Sequence, residues 1–181
     1  MPRADKMIRA IDRISTWIGI PLSWLIIPLM LIMSYDVTAR YLFSAPTDWA
    51  LDYTVMLYGT MFMMVGAYTL AQNNHVRCDM FSRNIPVRVQ AALDLLLYVV
   101  FFFPGIIALV WAGYHFAAMS WRFGERSVMA PSGPPIYPFK TVIPIAGFFI
   151  AVQGIAEVLR CIVALKTGVW PERFEDVQEA P

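Results

Sequence analysis

Polar and apolar positions in this chain are sorted into blocks rather than interleaved. Between Arg13 and Asp36 lie 22 residues without an Asp, Glu, Lys or Arg. The stretch from Asp52 to Arg77 holds 24 such residues, and that from Asp94 to Arg122 holds 27. A bilayer core of about 30 Å takes about 20 helical residues to cross, so each block is long enough to span it. A fourth block is interrupted. Sixteen uncharged residues separate Lys140 from Glu157, and the apolar pattern resumes after Arg160 and runs to Leu165. Read as one helix, it carries an internal polar patch. None of the blocks shows the two-residue alternation of a membrane barrel. The pattern predicts an all-α integral membrane protein of four transmembrane helices, at about 14–36, 50–73, 91–120 and 141–165, in a single membrane domain covering residues 1–181.

The segments between the blocks refine this picture. Residues 1–13 set Arg3, Lys6, Arg9 and Arg13 among Met7, Ile8 and Ile11, the composition of a short amphipathic helix on the membrane surface. A secretory leader also starts basic, but its apolar core runs only about 7–15 residues. The run here is longer and no small-residue cleavage site follows, so a retained first helix is expected. Pro21 and Pro28 remove backbone donors from that helix and should bend it. In the turn Ser44–Asp48, Thr47 or Asp48 is placed to cap the second span, with Asp48 and Asp52 near its positive end. Gly59 and Gly66 give the second span a smooth face, and Gly147, Ala151 and Gly154 give the fourth another; such faces receive neighbouring helices. The loop Gly124–Lys140 is proline-rich and predicts a rigid, extended, outward-facing segment. The acidic tail at 171–181 is expected to be disordered.

Composition agrees with the class: 59% of residues are hydrophobic and 15% charged, against about 25% charged in soluble domains. A net charge of +1 gives no footing for nucleic acid. Lys and Arg gather on the cytoplasmic side of membrane proteins. With the N-terminus inside, ten of them fall inside and four outside, which predicts an N-in, C-in arrangement. Cys78 and Cys161 offer neither a disulfide framework nor metal-ligand spacing.

Candidate chemistry is sparse. A membrane haem wants histidines facing each other within the bilayer, whereas His75 and His115 are predicted at opposite faces. No Ser/His/Asp set is present either, so no catalytic, cofactor or metal residue is expected. Ionisable residues inside a span often mark function. Asp94 lies near the start of the third span, where it reaches water. Gln153, Glu157 and Arg160 line one face of the fourth span and read as a self-satisfied pair or an inter-subunit contact. Glu157 is also the carboxylate that a self-sufficient small transporter would need, which is the competing reading. Asp36 and Arg40 are spaced for an intrahelical ion pair. Trp17, Trp49, Trp121 and Trp170 fall near span ends, where such rings prefer to sit.

Several short motifs follow one another in a particular order. They are R-Y-x-F (Arg40, Tyr41, Phe43), W-x-x-D (Trp49, Asp52), H-V-R-C-D (His75 to Asp79) and G-E-R-S (Gly124 to Ser127), then the proline-rich approach to the last span. With these, from about Ile8 to Ala164, the chain resembles the DctQ-type small membrane subunit of tripartite ATP-independent periplasmic (TRAP) transporters. Asp52 stands where that family more often has Glu. The resemblance implies a bacterial inner-membrane protein that is a scaffold for a large multi-span subunit, which itself holds the substrate and sodium sites. It implies a third partner too, a periplasmic binding protein that delivers an organic acid. Arg40, Trp49, Asp52, Glu125 and Ser127, with Tyr41 in the same motif, would then shape the outer surface or its helix caps. His75, Arg77 and Asp79 would order the cytoplasmic turn. Gln153, Glu157 and Arg160 would be structural or partner contacts.

Overall fold

The computed structural model describes residues 2–72, 86–129 and 133–171. The expectations for His75, Arg77, Cys78 and Asp79, and for the acidic tail beyond Pro171, lie outside the described residues. Among the described residues six α-helices are present: α1 (Pro2–Ser23), α2 (Ile26–Leu42), α3 (Ala50–Ala71), α4 (Val87–Leu97), α5 (Phe103–Phe123) and α6 (Tyr137–Thr167), with a π-helical turn, Tyr98–Phe102, between α4 and α5. Together they make four helical stretches long and apolar enough to cross a membrane: Asp5–Leu42, Ala50–Ala71, Val87–Phe123 and Tyr137–Thr167. There is no strand among the described residues, only an isolated bridge between Arg126 and Pro135.

Proline explains both interruptions. Pro28 has no N–H to give the Trp24 carbonyl, and the Ile27 amide takes that carbonyl instead at 3.0 Å. Trp24 and Leu25 likewise bond three residues back, to Pro21 and Leu22, each at 3.2 Å. This tightening from four-residue to three-residue spacing breaks the first span into α1 and α2. In the third span Pro104 cannot serve the Val100 carbonyl. The turn ahead of it widens, and the Phe103 N–H reaches back five residues to Tyr98, a π-bulge of the kind that bends membrane helices.

The segment ahead of Arg13 is helical and continuous with the first span rather than separate from it. It also enters the bundle, with Ile8 and Asp12 buried. Its start lies beside the end of α6, where Asp5, Ile8, Arg9, Thr167 and Trp170 line one cavity. The beginning of α1 and the end of α6 are therefore on the same side of the bundle.

Helix α6 is the centre of that bundle. It packs against α1, α3, α4 and α5, and its buried positions run from Lys140 to Ala164. The glycine faces seen in the sequence serve these internal contacts. A Cβ at Gly59 would lie 2.7 Å from the Phe139 ring, one at Gly66 would lie 3.1 Å from Ile150, and one at Gly147 would lie 2.7 Å from Val110. At Gly154 a Cβ would collide with Phe102. Small residues let helices approach closely enough for dispersion contacts, which drive association where lipid is as apolar as the side chains.

Gly154→Leu should therefore destabilise the bundle by about 1–3 kcal/mol through overpacking. Gly105→Leu, on α5 with nothing within 4 Å of its added Cβ, should leave the melting temperature of the purified chain in detergent within experimental error. Equal shifts at the two positions would contradict this packing.

Candidate functional site

Two polar clusters lie at opposite ends of the bundle. The first is buried where α1 meets the second half of α6. Gln153, Glu157 and Arg160 recur at helical spacing on the buried side of α6, and Asp12 and Ser15 recur three apart on α1. All five are at least nine-tenths buried. The Arg160 guanidinium donates through Nη1 to Glu157 and through Nη2 to Asp12. The Gln153 amide uses both ends: Nε2 donates to Asp12 Oδ1 at 2.9 Å, and Oε1 accepts from the Ser15 hydroxyl at 2.7 Å. Arg160 Nε has no hydrogen-bond partner among the described residues.

This arrangement joins two helices, one near each end of the sequence. The structure places Gln153, Glu157 and Arg160 together on the buried side of α6. This stripe is not self-contained, because Asp12 shares the guanidinium. Asp12 went unnoticed in the sequence because it sits in a segment dominated by Arg and Lys, which reads as a solvated face. The available signal was the spacing of Ile8, Asp12 and Ser15, four and three apart, which puts all three on one side of a helix.

The second cluster lies at the other end, around the loop between α5 and α6. Gly124 adopts a left-handed conformation, φ 56°, and closes α5. The chain then turns back on itself, with the Ser127 N–H donating to Pro134 at 2.9 Å and the Ile136 N–H donating to Glu125 at 3.0 Å. Two side-chain bonds pin this loop to the helices. The Ser127 hydroxyl donates to Asp52 Oδ1 at 2.6 Å, and the Lys140 ammonium reaches Glu125 Oε2 at 2.5 Å. Lys140 also stands over the Phe116 ring, 3.9 Å from its centroid, a cation–π contact. The second carboxylate oxygen of Asp52 is buried without a hydrogen-bond partner among the described residues. The hydrogen bond from Lys140 holds the Glu125 carboxyl below the usual carboxylate range.

The loop between α2 and α3 is held differently from expectation. Neither Thr47 nor Asp48 caps α3; its N-cap is Trp49, which forms no side-chain capping bond. Thr47 turns back to Asp36, donating both its hydroxyl and its N–H. Asp36 also pairs with Arg40 at 2.8 Å, so one carboxylate at the end of α2 anchors the whole turn. Trp49 lies between Tyr35 and Tyr53, with ring centroids 6.1 and 5.9 Å away. Tyr41 is exposed. The motif residues Asp52, Glu125 and Ser127 thus belong to one cluster, whereas Arg40 and Trp49 order the neighbouring loop.

A family model for the DctQ component of tripartite ATP-independent periplasmic transporters matches residues 29–164. The chain belongs to the DctQ family. It is a multi-pass membrane protein and the small membrane subunit of a TRAP transporter. This DctQ chain has no match among curated protein sequences. The matched region contains the α6 stripe and the whole α5–α6 loop, while Asp12 and Ser15 lie ahead of it.

Removing one partner of a buried ion pair costs about 3–5 kcal/mol, because it leaves the other charge unneutralised. Arg160→Met, which leaves two buried carboxylates, should therefore lower thermal stability in detergent by several kcal/mol. Gln153→Leu should cost less, and a smaller loss for the arginine variant would refute the clamp. The pinned loop generates a pH prediction. Because the folded-state pKa of Glu125 is lowered, its contribution is fully present above the usual carboxylate range and fades as pH falls through the lowered value. Exchange of the Ile136 amide, corrected for intrinsic rate, should be flat near neutrality and rise at acidic pH, with the acid step absent in Lys140→Met.

Proposed function

We propose that this DctQ subunit is the static scaffold of a secondary-active, sodium-coupled importer of an organic acid. On this reading a large multi-span subunit carries the substrate and sodium sites and moves, while this chain enlarges the anchored part against which it slides. A periplasmic binding protein delivers the substrate to an outer face that the α5–α6 loop helps to form. The subunit sits in the bacterial inner membrane with both termini in the cytoplasm, and it is not an enzyme.

The observation that carries the reading is the use made of the charged groups buried within the bundle. Asp12, Glu157 and Arg160 bond to one another and tie α1 to α6. A proton-coupled or ion-coupled mover needs a carboxylate that exchanges partners. Glu157, the residue on which a self-sufficient transporter would depend, is instead held by an arginine one turn away. Two loops pinned to helix ends by Asp36, Asp52 and Lys140 add to the character of a rigid part.

Reconstitution separates the two readings. Liposomes holding the large subunit together with this chain, supplied with binding protein, substrate and a sodium gradient, should accumulate substrate. Liposomes holding this chain alone should not. Uptake by this chain alone, abolished by Glu157→Gln, would replace the scaffold with a small transporter.

A further inference from the structure

The faces of this bundle differ in what they show to the outside. On α5 the buried positions are Gly113, Ala117 and Ser120. At 3.6 residues per turn, the line directly opposite runs through Pro104, Ala108, Trp111, His115, Ala118 and Arg122, spaced alternately four and three. Every helix has such a line, and the residues on this one set it apart. A helix that meets only lipid presents branched aliphatic and Phe side chains there. Here an indole and an imidazole stand together, Trp111 and His115, with an alanine on either side, Ala108 and Ala118. Gly105, about a quarter-turn round the helix from this line, is the one helical glycine among the described residues at which a Cβ would meet nothing within 4 Å.

Depth makes the polar rings costly. Trp121 lies against Tyr137, ring centroids 4.4 Å apart, at the first turn of α6, and its indole N–H bonds Thr141 at 2.8 Å; paired aromatic rings of this kind favour the membrane interface, and we take this as its level. His115 is six residues further in, about 9 Å along the axis, and Trp111 about 6 Å beyond it. His115 is exposed, as are Trp111 at 69% and Tyr114 at 64%. The His115 ring touches both of these rings, with centroids 4.9 and 5.7 Å away, but no hydrogen bond to it forms among the described residues. Lipid tails accept and donate nothing, and Trp and Tyr prefer the interface to this depth. A facing helix resolves both problems. Ala108 and Ala118 allow close approach there, and histidine hydrogen-bonds across helices.

We propose that this seam of α5 is where a transmembrane helix of the large membrane subunit docks, with a hydrogen-bonding side chain of that helix facing His115. The proposal rests on the scaffold reading, since that reading supplies a second membrane subunit. It also agrees with the packing inside the bundle, where the other glycine faces are already occupied.

The test uses the intact complex in its native membrane. A photo-crosslinking residue at Ala108 or Ala118 should join this chain to the large subunit. The same residue at Met30, exposed on α2, should not. His115→Leu should lower the amount of large subunit that co-purifies by about fivefold or more, and His115→Gln should restore most of it. Adducts from Met30 in place of Ala108 and Ala118, adducts only between two copies of this chain, or undiminished capture by His115→Leu would each overturn the docking face. If the unaltered chain captures no large subunit at all, the scaffold reading fails and this inference falls with it.

Discussion

A guanidinium taken out of water must be neutralised where it stands, because the alternative costs several kcal/mol. Arg160 meets that constraint with two carboxylates. Glu157 lies one turn away on α6 itself, and Asp12 lies on α1. The first pair would form in α6 alone. The second forms only when α1 lies against α6, so the charge selects one docking of the N-terminal helix among many that apolar packing would tolerate. The Gln153 amide fixes the register further, because it satisfies Asp12 and Ser15 at once.

The position of α6 follows from the same logic. Towards α3 this helix presents Phe139 and Ile150, which fill the room left by Gly59 and Gly66, and towards Val110 and Phe102 it must itself be smooth. Gly147 and Gly154 supply that. At the far end of α6 the buried polar groups, Lys140, Asp52 and Ser127, are served by the loop. Lys140 lies along Phe116 and sends its ammonium to Glu125, so the apolar stem and charged head each find their own surroundings. The α5–α6 loop is then tied to α3 through Ser127 and Asp52 and to α6 through Lys140. Asp52, Glu125, Ser127 and Lys140, scattered in the sequence, thereby become one pinned cluster.

The four spans were legible because a bilayer demands long charge-free blocks and little else produces them. The polar stripe of α6 was legible from helical spacing. Its partner was not. Asp12 lies among four basic residues, and nothing local distinguishes a carboxylate that turns inward from one that faces solvent. The helix bends could be placed from Pro21 and Pro28, since a missing donor acts locally. The π-bulge at Tyr98–Phe102 was missed, although Pro104 obeys the same rule. The capping role expected of Thr47 failed because Asp36, eleven residues away, offers a charged acceptor, and charge-assisted bonds outcompete a neutral cap. The turn-back of the loop at Arg126 and Pro135 depends on pairing across it, which proline content alone does not reveal.

The central claim is that Asp12 and Arg160 are coupled across two helices, and a double-mutant cycle measures that coupling directly. Asp12→Ala, Arg160→Ala and the double variant would be compared by reversible unfolding in mixed micelles. Residues in contact within one ionic network show interaction energies of about 0.5–3 kcal/mol. The account predicts a coupling above about 1 kcal/mol, with the double variant less damaged than the sum of the single ones. Additivity within about 0.5 kcal/mol would mean that the two side chains do not hold the helices together, and that α1 is placed by apolar packing alone.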